Sequence, residues 1–287
     1  MSQPTVQKQQ FDVCITAKHK PFDLHLREVR KYKDLIWLFV QRDIKTKYKQ
    51  TVLGPLWFVI QPLLASVIHT LVFGQIAGLS TDGVPQYLFY LAGSVSWGLF
   101  SAALTTTSNT FVGNASVFGK VYFPRLTTPI ATSITQIFNF AIQFGIFLVM
   151  SLIFFLSGET FRVTWYAFLT PLLVLQLTLL GMGFGIIISS LTTKYRDLQV
   201  LVSFGVQLWM YITPVVYSSN SIGKGKLYTL MMLNPVSPAI EIFKYGWLGA
   251  GATPWLYWGI SWITTFVVLF LGVLIFNKIE KNFMDTV

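Results

Sequence analysis

Six long stretches of the chain contain no Lys, Arg, Asp or Glu, and this pattern constrains the fold more than any other feature. The hydrocarbon core of a bilayer is about 30 Å thick, so a helix that crosses it needs about 20 predominantly apolar residues. Each stretch can supply that many, and the sequence therefore predicts an all-α integral membrane protein with six transmembrane helices. The uncharged stretches are residues 50–81, 83–119, 126–158, 163–193, 198–223 and 245–277.

Ionisable side chains are almost absent from these stretches. Carriers driven by ion or proton gradients usually hold an ionisable residue at membrane depth, because the coupling ion must be bound and released there. His69 is the one residue in the stretches that titrates near neutral pH, and its span contains no carboxylate and no second histidine. We expect His69 to pack with a satisfied hydrogen bond. We also expect the energy for any uphill transport to come from a partner.

The distribution of basic residues predicts the topology. The formal net charge is +10. Near the ends of the predicted spans, twelve basic residues fall on one side of the membrane and four on the other, and the positive-inside rule then places both termini in the cytoplasm. Membrane insertion explains most of the basic excess, so nucleic acid is not predicted as a partner. The cytoplasmic set is Lys31, Lys33, Arg42, Lys45, Lys47, Lys49, Lys120, Arg125, Lys194, Arg196, Lys278 and Lys281, and the outer set is Arg162, Lys224, Lys226 and Lys244.

The composition leaves room for one membrane domain. Of the 287 residues, 53% are hydrophobic, and we divide the chain into a cytoplasmic tail with an amphipathic helix (1–51) and a six-span domain (52–287). Cys14 is the single cysteine of the sequence, which excludes an intrachain disulfide and a thiolate metal cluster. No short apolar core precedes a small-residue cleavage site near residue 1, so we expect the first span to act as an uncleaved insertion signal.

The N-terminal region contains two segments. Residues 1–21 are rich in Gln and Lys, and we interpret them as a flexible tail or a partner-binding arm. From Phe22 onward, apolar residues recur near helical spacing among charged ones, which predicts an amphipathic helix. This helix lies in the cytoplasmic membrane interface or packs on a partner, and the two alternatives are compatible. Its apolar residues are Tyr32, Leu35, Ile36, Phe39, Val40, Ile44 and Tyr48.

The connections between the spans differ in length and character. Residues 113–126 and 192–199 are predicted cytoplasmic connections, and the first should form a small helix on the membrane surface. The outer connection 218–254 is long and apolar, but Asn234 and Pro235 interrupt it. A pair of short re-entrant helices between spans five and six, buried against protein in the outer leaflet, would satisfy its backbone hydrogen bonds. The spans are predicted at 53–78, 87–112, 127–156, 165–191, 199–217 and 255–276.

Uncharged polar residues form stripes along several spans. Hydroxyls and amides can bond sugar hydroxyls, and aromatic rings can cover the apolar faces of sugar rings. The same groups also hold helices together in bilayers, and we favour that interpretation for the second and third spans, as we favour close helix packing for Gly181, Gly183 and Gly185. For the fifth span we favour substrate lining. Its stripe covers about a third of the helix circumference and consists of Ser203, Gln207, Met210, Tyr211, Pro214, Tyr217 and Ser218.

Catalytic motifs are absent from the sequence. It contains no GxxxxGK[ST] phosphate loop, no HExxH zinc motif and no nucleophile elbow. Asp82, Glu159 and Glu241 are the acidic residues on the outer side, and no pair of carboxylates lies inside the spans for acid–base chemistry. We therefore predict that the chain is not an enzyme, that it binds no metal and no cofactor, and that ATP and Mg²⁺ bind a separate polypeptide.

Four blocks of the sequence resemble the ABC-type polysaccharide and polyol-phosphate exporter permeases. QRDIKTKYKQTVLGPLW at 41–57, followed by Gln61-Pro62, resembles the entry to that family's first span. GNASVFGKVYFPR at 113–125 is similar to its cytoplasmic coupling loop. YRDL at 195–198 and TPVVY at 213–217 resemble the entry and exit of its fifth span, and LNPV at 233–236 resembles its outer re-entrant segment. The blocks follow the family's order over most of the chain.

The resemblance implies half of a transporter. Two copies of this permease and two copies of a cytosolic ATP-binding subunit would export a lipid-linked glycan of the O-antigen, capsule or teichoic-acid type. The loop from Asn114 to Arg125 would contact the ATPase, and the first and fifth spans would line a pathway between protomers. The implied coupling residues are Asn114, Ala115, Ser116, Val117, Phe118, Gly119, Lys120, Val121, Tyr122, Phe123, Pro124, Arg125, Arg42, Asp43, Lys47 and Tyr48. The implied pathway residues are Trp57, Phe58, Gln61, Ser203, Gln207, Met210, Tyr211, Pro214 and Tyr217.

The small number of predicted spans favours a homodimer. Six helices barely enclose a polymer-sized pore, whereas a twofold dimer can build one at its interface. An uncharged lining lets a long glycan slide through weak, repeated contacts, and ATP binding would push the coupling loops and tilt the helices that frame the pore. We expect the chain in the inner membrane of a bacterium with two membranes, in contact with membrane lipids. The alternatives are a permease for teichoic acid or a small hydrophobic substrate, an intramembrane glycosyl- or acyltransferase, and a passive channel or scaffold.

Overall fold

Helices form nearly all of the regular structure. The computed structural model describes residues 26–49, 56–118, 120–121, 123–192, 197–223 and 225–286. The N-terminal tail 1–21 and the connection 193–196 lie outside these residues. The α-helices are α1 (Leu26–Lys31), α2 (Lys33–Lys49), α3 (Leu56–His69), α4 (Gln86–Ser108), α5 (Thr110–Gly113), α6 (Ala115–Phe118), α7 (Thr127–Leu156), α8 (Thr170–Thr192), α9 (Leu198–Ile212), α10 (Lys226–Leu233), α11 (Ser237–Leu248) and α12 (Trp255–Thr286). A π-helical segment (Thr70–Ile76) continues α3, and 3₁₀ turns occupy Trp165–Leu169 and Ser219–Ile222.

Within the described residues, five helical segments are long and apolar enough to cross a bilayer. They are Val59–Ile76, Gln86–Ser108, Thr127–Leu156, Trp165–Thr192 and Trp255–Ile279, and they match five of the six predicted spans closely. The remaining predicted span, 199–217, contains α9, which ends at Ile212 and is about 22 Å long at 1.5 Å per residue. The helix ends there because Pro214 has no amide N–H and disfavours helical geometry at Thr213, whose backbone is extended.

The helix α4 forms the centre of the bundle. It packs on α7 and α8, and α8 packs in turn on α12. Of the most apolar 18 residues of α4, 72% are buried, against 17% of the segment Val59–Ile76, which contains most of α3. A Cβ added at Gly185 would lie 2.5 Å from Cβ of Thr107, and one added at Gly183 would lie 3.1 Å from the backbone nitrogen of Leu269. The predicted close packing at these glycines is therefore confirmed, and α8 uses its glycines against two different neighbours.

The two ends of the bundle differ. We call the end that carries α1, α2, α5 and α6 the proximal end, and the end that carries residues 77–85, 157–164 and 213–254 the distal end. At the proximal end, α2 packs on α7 of the same chain, while Trp37 and Leu38 remain exposed. The buried side chains there form the proximal cluster, which consists of Val29, Phe39, Val40, Phe111, Phe118, Phe123, Leu126, Ala131, Ile186 and Phe276.

At the distal end, α10 and α11 are the predicted pair of short helices. They are separated at Asn234, which matches the interruption expected from the sequence. The Asn234 side chain accepts a hydrogen bond from Nε1 of Trp209 at 3.1 Å and donates one to Oγ1 of Thr213 at 2.9 Å. This asparagine therefore joins α10 and α11 to α9. Entry of the two helices into the outer leaflet stays a prediction.

Candidate transport pathway and coupling surface

The helix α9 is attached to the bundle along one face. Its Trp209 ring lies 5.2 Å from the Phe100 ring and 5.3 Å from the Phe184 ring, measured between centroids. Val206 is the buried residue of α9. Because these two residues lie on the same side of the helix, the rest of the α9 surface is free to meet lipid, water or another molecule.

The free surface of α9 has two different faces. At 100° per residue, Ser203, Gln207 and Tyr211 share one face, and all three are exposed. Leu201, Leu208 and Ile212 form the other face and are also exposed. The apolar face is suited to lipid, whereas the face with a hydroxyl, an amide and a phenol is suited to a polar ligand.

The helix α3 lies beside this polar face. The Phe73 ring, in the π-helical segment that continues α3, is 6.3 Å from the Tyr211 ring. Trp57 and Gln61 are exposed on α3, and Phe58 lies between them in the sequence. The predicted first and fifth spans thus meet at this ring contact, and both leave a long surface uncovered.

The end of α9 is less open than the sequence suggested. Pro214 is buried, and Met210 and Tyr217 are half-buried. Of the nine residues predicted to line the pathway, eight have side chains that the structure describes, and the exposed ones among these are Trp57, Gln61, Ser203, Gln207 and Tyr211.

A buried ion pair holds the segment that follows α9. Nζ of Lys244 lies 2.7 Å from Oε1 of Glu241, and both side chains are fully buried on α11. The same ammonium donates hydrogen bonds to the backbone carbonyls of Pro214 at 2.8 Å and Tyr217 at 3.3 Å. These carbonyls lie in a non-helical turn, and the lysine supplies the donors that a buried backbone needs.

Two carboxylates hold consecutive residues of the following turn. Glu241 accepts hydrogen bonds from the Ser219 hydroxyl and, at 3.1 Å, from the amide of Ala252. Asp82 accepts from the Ser218 hydroxyl at 2.6 Å, from the Asn220 amide group at 2.9 Å and from the backbone of Gly251 at 2.9 Å. The sequence predicts both acidic residues on the outer side, but it does not predict these hydrogen bonds. The spacing of Glu241 and Lys244, three residues apart in an apolar helix, was the available signal for a buried pair.

Hydroxyls in the polar stripes of the second and third spans bond to their own helices, and a role of the stripes in holding neighbouring helices together stays a prediction. Thr105 donates to the Ser101 carbonyl and Thr135 to the Ala131 carbonyl, each within its own helix. His69 places Nδ1 3.3 Å from the Ser94 hydroxyl, which confirms the expected hydrogen bond.

The predicted coupling loop contributes two aromatic side chains to the proximal cluster. The Phe118 and Phe123 rings are buried with their centroids 5.6 Å apart, and Phe123 lies 5.6 Å from Phe39 of α2. Pro124, Arg125 and Val117 are half-buried, and Asn114 donates to the Thr110 carbonyl. Lys120 and Val121 are exposed. Ala115 and Ser116 belong to α6, whereas Gly119 and Tyr122 lie outside the described residues.

The predicted coupling residues of α2 lie near this loop through Phe39. The Arg42 guanidinium is 2.8 Å from the Asp43 carboxylate and 4.8 Å from the centroid of the Phe39 ring. Lys47 and Tyr48 follow in the last turns of α2. The ring contact between Phe39 and Phe123 therefore links α2 directly to the predicted coupling loop.

Comparison with known proteins gives consistent matches. The family model described as ABC-2 type transporter matches residues 34–248. The chain is 28% identical over 257 residues to the O-antigen export system permease protein RfbA of Klebsiella pneumoniae, covering 88% of this chain and 94% of the relative. A protein of the same name from Myxococcus xanthus is 28% identical over 74% of this chain and 79% of its own length. The polysialic acid transport protein KpsM of Escherichia coli is 22% identical over 85% of this chain and 93% of its own length.

Proposed function

Because the chain belongs to the ABC-2 type transporter family, we propose that it is the permease of an ATP-driven exporter for lipid-linked polysaccharide of the O-antigen or capsule type. The names of its relatives, which are O-antigen export and polysialic acid transport proteins, support this substrate class. The structural observation that carries the proposal is the exposed polar face of α9 beside the exposed face of α3. A neutral surface of this kind suits a glycan better than an ion.

The proposed assembly is a homodimer with two cytosolic ATP-binding subunits in the bacterial inner membrane. The proximal end faces the cytoplasm, as the distribution of basic residues predicts. The helix α9, together with the segment that follows it, forms a sixth crossing, and α10 and α11 dip into the outer leaflet. The exposed faces of α3 and α9 from two protomers then enclose the glycan pathway, because a twofold axis brings identical surfaces together.

In this proposal, ATP binding in the partner subunit drives transport by moving the side chains of the proximal cluster. We assign contact with the ATP-binding subunit to the exposed Lys120 and Val121, and we assign transmission to the buried Phe118 and Phe123. A push on the loop reaches α2 through Phe39 and α7 through Leu126, since these side chains belong to one packed cluster. Packed clusters move between discrete arrangements rather than deforming continuously, so the push tilts the attached helices.

The proposal is tested by reconstitution. The permease is purified with and without the proposed ATP-binding subunit, placed in proteoliposomes, and assayed for ATP hydrolysis and glycan movement. Stimulation of hydrolysis by a lipid-linked glycan, and no stimulation by hydrophobic drugs, supports a glycan exporter. Concentrative transport by the permease alone on an imposed proton or sodium gradient would contradict it.

A further inference from the structure

A groove lies where the middle of α7 meets the distal end of α8, and a pocket adjoins it along the segment that precedes α8. The groove has a volume of about 850 Å³ and the pocket one of about 670 Å³, both in the range of about 300–1,000 Å³ that small-molecule sites have. Val163 and Thr164 line both. A single elongated molecule can therefore occupy the two together.

The groove is apolar. Phe140 and Phe144 of α7, Val174 and Leu175 of α8, and Trp247 of α11 form its walls. The α7 and α8 segments are long enough to cross a bilayer, so the groove opens to hydrocarbon chains. An apolar gap left empty loses the dispersion contacts of its walls, and an acyl chain is the group that restores them.

The pocket is polar and contains one charge of each sign. Arg162 and Asp82 line it, with Thr160, Trp165 and Tyr245. Arg162 is exposed and has no ion-pair partner in the part of the chain that the structure describes. Oδ2 of Asp82 receives three hydrogen bonds, and its other oxygen, Oδ1, has no such bond to any described residue.

Hydrogen bonds fix the backbone that carries Arg162. The amide of Arg162 donates to the Leu248 carbonyl at 3.2 Å, and the amide of Thr164 donates to the Gly246 carbonyl at 2.8 Å. The Thr164 hydroxyl donates to the Tyr245 carbonyl at 3.0 Å. These bonds attach residues 162–164 to the end of α11, so the place of the arginine relative to the groove is set by the fold.

We propose that the groove and the pocket bind one phospholipid with a phosphoethanolamine headgroup. An acyl chain fills the groove, the phosphate meets Arg162, and the ammonium meets Asp82. A guanidinium binds phosphate oxygens through paired, charge-assisted hydrogen bonds. Because the pocket holds a cation and an anion, a zwitterionic headgroup matches it better than an anionic one. This site is separate from the α3 and α9 surface and does not depend on the exported cargo.

Native mass spectrometry of the purified protein tests the site. The protein is mixed with equal amounts of phosphatidylethanolamine, phosphatidylglycerol and phosphatidylcholine, and the retained lipid is counted. We expect selective retention of phosphatidylethanolamine. Arg162→Gln should weaken retention about tenfold, the value expected for losing a charged hydrogen bond, and Ala141→Trp should weaken it by filling the groove, which Ala141 lines.

Two matched variants serve as controls. Lys226→Gln removes an exposed positive charge from the same end of the molecule, and Val149→Trp places the same indole ring on the exposed surface of α7 outside the groove. Both should retain the lipid as the unaltered protein does. Equal or stronger retention of phosphatidylglycerol, no loss with Arg162→Gln, or displacement of the phospholipid by a lipid-linked glycan would overturn the proposal.

Discussion

The ammonium of Lys244 lies 2.7 Å from the Glu241 carboxylate, and both side chains are fully buried. The ammonium also lies 4.2 Å from the centroid of the Phe89 ring on α4. A buried ion pair adds little net stability, but removing one partner leaves an uncompensated charge. Since Lys244 also bonds two carbonyls after α9, the pair fixes the distal end of the helix that we assign to the glycan pathway.

Lys244→Met should therefore destabilise the protein strongly. The expected loss is about 3–5 kcal/mol in the free energy of unfolding, the cost of leaving a buried charge unpaired. Thermal unfolding in detergent measures it. Lys226→Met, at an exposed position, is the control and should have little effect. The double variant Glu241→Gln, Lys244→Met should recover part of the loss, and a double variant as unstable as the single one would argue against charge burial as the cause.

Gly93→Ala should disturb the contact between α4 and the segment after α9. A Cβ at Gly93 would lie 2.5 Å from the Val215 carbonyl oxygen, and overpacking of this kind costs about 1–3 kcal/mol. Gly205→Ala on α9 is the matched control, because no atom lies within 4 Å of a Cβ added there. Thermal unfolding should separate the two variants. Equal stability would mean that segment 213–217 shifts freely away from α4.

Phe123→Ala should reduce coupling between ATP hydrolysis and export. The ring is buried between Phe118 and Phe39, so its removal leaves a cavity and costs about 3–5 kcal/mol. Hydrolysis and export are measured on the same proteoliposomes, and thermal unfolding is measured in parallel. We expect hydrolysis to continue while export falls. Phe123→Leu retains most of the side-chain volume, so its unfolding temperature should be close to that of the unaltered protein, while its coupling of hydrolysis to export should stay reduced.

Lys120→Glu tests whether the exposed part of the predicted coupling loop contacts the ATP-binding subunit, independently of the buried Phe118 and Phe123. Lys120 is exposed, so reversing its charge should leave the unfolding temperature unchanged. If this side chain meets the ATP-binding subunit, copurification of that subunit should weaken, and the effect should grow at low salt because charge interactions are screened less there. Unchanged copurification together with unchanged export would remove Lys120 from the contact.

The sequence predicts the long helices well because charge-free length is a sufficient signal for them. Residues 127–156 were predicted as a span and form α7 with the same bounds. Thr213 shows where the signal fails, since the apolar pattern continues to Tyr217 while Pro214 ends the helix. A hydropathy pattern also does not predict an ion pair between two charged residues of an apolar helix. Glu241 and Lys244 are predicted on the outer side of the membrane, and only the fold shows that they form a buried pair.

The candidate site was predicted in part. The stripe on α9 is exposed at Ser203, Gln207 and Tyr211, as a helical period predicts. Phe118 and Phe123 belong to the predicted coupling loop and are buried in the fold, and their role in coupling stays a prediction. Whether an aromatic residue in a short loop faces outward depends on α2 and α7, which are distant in sequence, and a local pattern does not contain that contact.

A bulky residue at position 207 should block export without changing stability. Gln207 and Leu208 are neighbouring exposed residues on α9, about 100° apart around the helix, so one lies on the polar face and the other on the apolar face. Gln207→Trp should stop glycan export, because the added ring occupies the proposed pathway. Leu208→Trp adds a ring where we assign lipid, and export should persist. Export is measured in proteoliposomes with the ATP-binding subunit, and unfolding temperature confirms that both variants fold. Equal export by both variants would show that the polar face of α9 does not line the route of the glycan.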